Sequence, residues 1–212
     1  MIRAPGRDCP LCPRLVAFRM ESRAAHPDWH NAPVPGFGAE SARLLIVGLA
    51  PGLRGANRTG RPFTGDYAGH LLYETLLRFG FAAGEYRERP DDGLTLKDCR
   101  IVNAVRCVPP ENLPKPVEIR TCNQFLIPEF EGMRQPKAVL ALGVVAHQAV
   151  LRALGLKQSF AKFRHGAVHE LPNGAILADS FHVSRYNTNT GRLTTEMFCD
   201  VVARIRQRLD QL

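Results

Sequence analysis

The sequence predicts an α/β domain built on a parallel sheet covered on both faces. Three observations carry this reading. Four short apolar runs read as strands: residues 44–47, 100–105 (interrupted by Asn103), 138–143, of the continuous type buried on both sides, and 176–181. Segments with helical spacing separate them. Glycine or short polar residues follow each run, as where an α/β protein gathers a site at the carboxyl edge of its sheet.

The elements follow in order. Residues 1–40 are rich in proline, glycine and charge. Within them Cys9-Pro-Leu-Cys12 precedes a predicted short helix, and residues 27–38, PDWHNAPVPGFG, read as loop. After the first strand comes a long stretch, GLAPGLRGANRTGRPFTGDYAGH, residues 48–70. Leu71, Leu72, Thr75, Leu76 and Phe79 then give one helical stripe. The charged segment 84–93 is a surface loop. Beyond the second strand, prolines exclude regular structure up to Val117, and a helix is predicted from Pro116 to about Phe130. The third strand leads into a helix over 144–154, closed by Gly155. Asn173-Gly174 is a turn signal, and the extended pieces on either side of it, 164–172 and 175–178, are expected to pair. An amphipathic helix is predicted over 194–209.

With 212 residues, the chain is expected to be one domain. No apolar run approaches the roughly 20 residues of a membrane span. The first residues lack the apolar core of a secretion signal, so a cytosolic protein is expected. Lys and Arg total 28 against 20 Asp and Glu, a formal charge of +8. Such a surface attracts polyanions, nucleic acid first. Six cysteines in a reducing compartment are not expected to form disulfides. Cys9 and Cys12 have the spacing of a metal knuckle, and Cys107 and Cys122 form a second pair. Cys99 and Cys199 read as small core residues.

Two stretches carry candidate chemistry. The glycine-rich loop lacks the Gly-Lys-Ser/Thr ending of a phosphate-binding loop and lacks G-x-G-x-x-G, which argues against a nucleotide cofactor. Interleaved with its glycines are Phe63, Asp66 and three arginines, Arg54, Arg58 and Arg61. The second stretch, FHVSRYNTNTGRLT, places His182 directly after a strand, among Ser184, Arg185, Tyr186 and Asn187. Taken singly, these residues also suit a helix cap, a satisfied histidine and a solvated surface.

Together, GLAPGLRGANRTGRPFTGD and HVSRYNTNTGRLT resemble the two active-site motifs of the B-type, or family 5, uracil-DNA glycosylases. NAVRC, with the C-x-x-C pair before it and Cys122 after it, is similar to the cluster-bearing members of families 4 and 5. The similarity runs from about Cys9 to Thr194. Family 4 has an acidic residue where this chain has Leu49. The second motif departs from the usual His-Pro-Ser at Val183.

The resemblance implies a three-layer α/β/α fold with a four-stranded parallel sheet. It implies a structural 4Fe–4S cluster on Cys9, Cys12, Cys107 and Cys122, although spacing alone suits zinc equally. It implies a monomeric DNA repair enzyme that flips uracil out of DNA and hydrolyses its N-glycosidic bond. Hypoxanthine and other modified bases become further candidate substrates. Phe63 is then the stacking residue and Asn103 reads the base edge. Gly48, Leu49, Ala50 and Ser184 line the substrate. His182 stabilises the departing base, and Asp66 or Asn187 positions the water. Arg54, Arg58, Thr59, Arg61, Arg185 and Tyr186 contact DNA. A strict family 4-like enzyme, a non-catalytic damage-binding protein and a zinc-stabilised module are the competing expectations.

Overall fold

The computed structural model describes residues 2–133 and 136–212. The strands are β1 (Leu44–Gly48), β2 (Ala82–Ala83), β3 (Thr95–Leu96), β4 (Cys99–Asn103), β5 (Ala138–Leu142), β6 (Val168–Glu170) and β7 (Ile176–Ser180). The helices are α1 (Pro13–Ala25), α2 (Ala56–Thr59), α3 (Tyr67–Arg78), α4 (Pro116–Cys122), α5 (Ile127–Gly132), α6 (Val144–Ala153), α7 (Arg185–Asn189) and α8 (Thr195–Asp210).

The main sheet runs β4-β1-β5-β7-β6. The four predicted strands pair in parallel. A fifth, β6, joins antiparallel to β7 through the turn at Asn173-Gly174. The expected four-stranded sheet is therefore a five-stranded one. The added edge strand is short and only partly buried, so its sequence lacks the apolar run that marks the others.

Strand residues alternate between two faces, with a period of two. Leu44 and Ile46 of β1 pack in one core with Leu72 and Leu76 of α3 and Phe198, Val202 and Ile205 of α8. Leu45 and Val47 pack in the other with Ala149 and Val150 of α6 and Phe130 of α5. Both faces of β1 are thus fully buried, which is why the strand reads as an unbroken apolar run. The result is the expected three-layer arrangement.

The predicted helix over 116–130 is divided. α4 ends at Cys122, a 3-10 turn occupies Asn123–Phe125, and α5 starts afresh. Pro128 lacks an amide hydrogen and sits in the first turn of α5, where none is needed. The division places Cys122 at a helix end facing α1.

Candidate active site

Gly48 ends β1 and stands in register beside Asn103, which ends β4. A side chain on Gly48 would run into Oδ1 of Asn103 and would lie 2.6 Å from the Phe63 ring. Only glycine lets these three residues meet. Phe63 is buried and adopts φ of 52°, a left-handed conformation rare outside glycine. Its carbonyl accepts the Tyr86 hydroxyl at 3.1 Å, which helps hold that geometry. Asn103 is 3% exposed, and its Oδ1 has no partner. An unpaired buried acceptor is costly and calls for a donor.

His182 follows β7 and brings its ring to 6.0 Å from that of Phe63, inclined by 32°. Burial pushes its pKa down to about 4, so the imidazole is neutral at pH 7. The Asn187 side-chain amide donates to the His182 carbonyl at 2.7 Å. Ser184 caps α7 by accepting the Asn187 backbone amide. Val183, in place of proline, is fully buried in the core beneath the turn.

Asp66 precedes α3, with its carboxylate pressed against Gly52 and Gly55. Its Oδ1 is buried without a partner. Burial raises its pKa, opposed by the Ala68 and Gly69 amides. Asp66 and His182 face one cleft of about 650 Å³, together with Leu49, Ala50, Gly52, Arg54, Ser184 and Arg185. A neighbouring cleft of about 300 Å³ shares Leu49 and His182 and reaches Asn187 and Arg192. Phe63 and Asn103 are nearly buried and are not among the residues lining these two clefts.

The remaining candidates divide. Arg185 is exposed at the cleft, its guanidinium 5.1 Å from the Tyr67 ring centroid, and Tyr186 is 71% exposed beside it. Arg58 opens onto a different groove, with Trp29 and His30. Arg61 is a correction. Its guanidinium is buried and forms two hydrogen bonds to Asp92, at 2.7 and 2.8 Å, so it cannot reach a phosphate. Thr59 is another, since its hydroxyl bonds the carbonyls of Gly55 and Thr64 inside the loop. Tyr67 and Asn112 line the cleft without having been anticipated. An exposed tyrosine and an asparagine in a proline-rich stretch leave no pattern.

Cys9, Cys12, Cys107 and Cys122 line one small pocket between α1, the loop after β4 and α4. Leu15, Val105 and Phe125 make the surround apolar. Burial pushes the thiol pKa of Cys12 up to about 11 and that of Cys107 up to about 12. Four thiols without a carboxylate or imidazole suit zinc or iron–sulfur.

His147, His169 and Asp179 do converge within 4.8 Å. However, His147 Nδ1 meets Asp179 at 2.7 Å and its Nε2 meets the Ala161 carbonyl at 3.0 Å, leaving no nitrogen for a metal. Burial opposes the imidazolium, but the Asp179 contact outweighs it and raises the pKa. The group is a buried ion pair tying α6 to β7.

The family model of the uracil DNA glycosylase superfamily matches residues 35–206. The chain belongs to the uracil DNA glycosylase superfamily. It is 48% identical to a type-5 uracil-DNA glycosylase of Thermus thermophilus, covering 92% of this chain and 90% of the relative. A type-5 enzyme of Pyrobaculum aerophilum is 40% identical over 93% of this chain and 87% of its own length. A type-4 enzyme of the same organism is 36% identical over 70% of this chain and 62% of its own length. The superfamily match spans Gly48, Phe63, Asp66, Asn103 and His182. Cys9 and Cys12 lie before it.

Proposed function

We propose that the protein hydrolyses the N-glycosidic bond of uracil in DNA, leaving an abasic site. The observation that carries this is Phe63 at the sheet edge, meeting Asn103 across Gly48 and standing 6.0 Å from the His182 ring. Extruding a base from a duplex costs a few kcal/mol, which the pocket must return. A base sandwiched between two rings needs a separation of roughly 7 Å, two contacts of optimal length. The 6.0 Å between Phe63 and His182 is shorter, so Phe63 meets the base face while His182 meets its edge. The unpartnered Asn103 oxygen accepts the N3–H of uracil. Cytosine has an acceptor at that position and leaves the oxygen unsatisfied.

As the bond breaks, charge builds on the departing ring. Neutral His182 donates its N–H to a base carbonyl there. Asp66 faces the opened sugar, stabilises its positive charge and orients the attacking water. Asn187, whose amide is engaged by the His182 carbonyl, acts on the loop and not on the water. Arg54 and Arg185 hold flanking phosphates, and Tyr186 fills the space left by the base. The open cleft admits hypoxanthine and modified pyrimidines beside uracil.

The four cysteines hold a 4Fe–4S cluster, which pins residues 1–40 to the loop after β4 within one domain. The enzyme acts in the cytoplasm as a monomer. A labelled uracil-containing oligonucleotide, treated with the protein and then alkali, tests the reading. Cleavage at uracil, abolished in Asp66→Ala, is expected. Binding of uracil-containing DNA without cleavage by the wild type overturns it in favour of a damage-binding protein.

A further inference from the structure

Arg19, on α1, is 3% exposed, yet no carboxylate pairs with it among the described residues. Its Nη2 donates to the Cys9 carbonyl at 3.0 Å, and its Nη1 lies 3.7 Å from the Cys107 sulfur. Its Nε is buried without a partner. A buried guanidinium facing sulfur needs a compensating negative charge.

Arg106 lines the same pocket and meets it through its backbone. Its backbone amide donates to the Cys122 sulfur at 3.3 Å. Its guanidinium shares Glu129 with Arg100, leaving that buried trio with one net positive charge. The Nη1 of Arg106 is again buried and unpartnered. The four-cysteine pocket is thus bordered by Arg19, which has no ion-pair partner among the described residues, and by Arg106, whose buried trio carries one net positive charge.

We propose that Arg19 is a positioning residue for a net-negative inorganic cluster: it supplies the counter-charge and an N–H···S hydrogen bond that set the cluster's reduction potential. Arg106 adds a backbone N–H to the Cys122 sulfur and the net positive charge of its trio with Arg100 and Glu129. This rests on the iron–sulfur reading above. An iron–sulfur core on four thiolates is net negative, and reduction by one electron adds to that charge. A buried cation beside it favours the reduced state and raises the potential. Hydrogen bonds to the sulfurs act in the same direction.

The test uses anaerobically purified wild type, Arg19→Gln and Arg19→Lys. Midpoint potentials are read by titration with dithionite under electron paramagnetic resonance, and iron release is timed under a chelator. Arg19→Gln is expected to move the potential to more negative values and to release iron roughly 10- to 100-fold faster, the usual cost of losing an outer-shell partner. Arg19→Lys keeps the charge but loses the planar fork, and is expected to fall between. If Arg19→Gln does not yield folded protein, Arg19→Lys decides: a negative shift supports the proposal. An unchanged potential in the loaded variants overturns it while the cluster reading stands. A wild type that holds zinc and no sulfide overturns the iron–sulfur reading, and the proposal with it, because zinc has no reduction potential to set.

Discussion

The side-chain amide of Asn187 donates to the backbone carbonyl of His182 at 2.7 Å, across the turn from β7 into α7. It fixes the peptide that carries the imidazole without touching the ring. Asn187→Ala is expected to lower the single-turnover rate on uracil-containing DNA by roughly 10²-fold, the cost of a misplaced catalytic group. Affinity for the DNA changes little, because the exposed basic residues are untouched. His182→Ala removes the donor itself and is expected to cost about 10²–10³ in rate. Rapid-quench kinetics measure both.

Asp66 pits stability against activity. Burial raises its pKa, and one carboxylate oxygen has no partner. A raised carboxylate pKa means the native state resists ionisation, so the penalty is absent below the unfolded pKa. It grows as pH rises through the folded pKa and is full at neutrality. Asp66→Asn is expected to raise the melting temperature at pH 7–8, with a gain that shrinks as pH falls into the carboxylate range. Uracil excision falls in the same variant. Melting curves across pH, beside rates, check the pair of signs; a variant less stable than wild type at neutral pH refutes this account of the site.

What was legible in the sequence follows from what leaves a local pattern. β1, β4, β5 and β7 are buried on both faces, so β1 and β5 read as unbroken apolar runs and β4 and β7 as apolar runs broken by buried polar residues, Arg100, Asn103 and Asp179. β6 is short and half-exposed and carries no such mark. Phe63 and Asp66 stood out because aromatic and acidic residues are conspicuous among glycines. Arg61 was misread for the same reason, since its partner Asp92 lies far along the chain and no local signal shows the pairing. The burial of Arg19 in α1 leaves no periodic cue in the sequence.

The arginines of the glycine-rich loop make separate predictions. Arg61 holds the loop by its paired bonds to Asp92, while Asp92 also accepts the Arg87 and Leu94 amides. Removing one member of a buried pair costs roughly 3–5 kcal/mol. Arg61→Gln is therefore expected to destabilise the fold by about that amount in denaturant titrations, with the salt slope of DNA binding unchanged. Arg185→Ala is expected to behave oppositely. It leaves stability intact, weakens binding across sequences and lowers the salt slope by roughly 1. Equal salt slopes for Arg185→Ala and wild type would return Arg185 to ordinary surface.

Gly48→Ala tests the meeting point of the site. The added methyl would collide with the Asn103 amide and lie 2.6 and 2.8 Å from the Phe63 ring. Phe63 has little freedom to retreat, being buried with its backbone at positive φ. Overpacking of this kind costs about 1–3 kcal/mol. The variant is expected to fold with lower stability and to lose both excision rate and discrimination between uracil and cytosine. That loss of discrimination separates this site from a general packing defect. A Leu140→Ala control, in the core beside α3 and α8, lowers stability by roughly 2–5 kcal/mol. It is expected to keep the preference for uracil at temperatures where it stays folded. Gly48→Ala with wild-type selectivity would mean that Asn103 does not read the base.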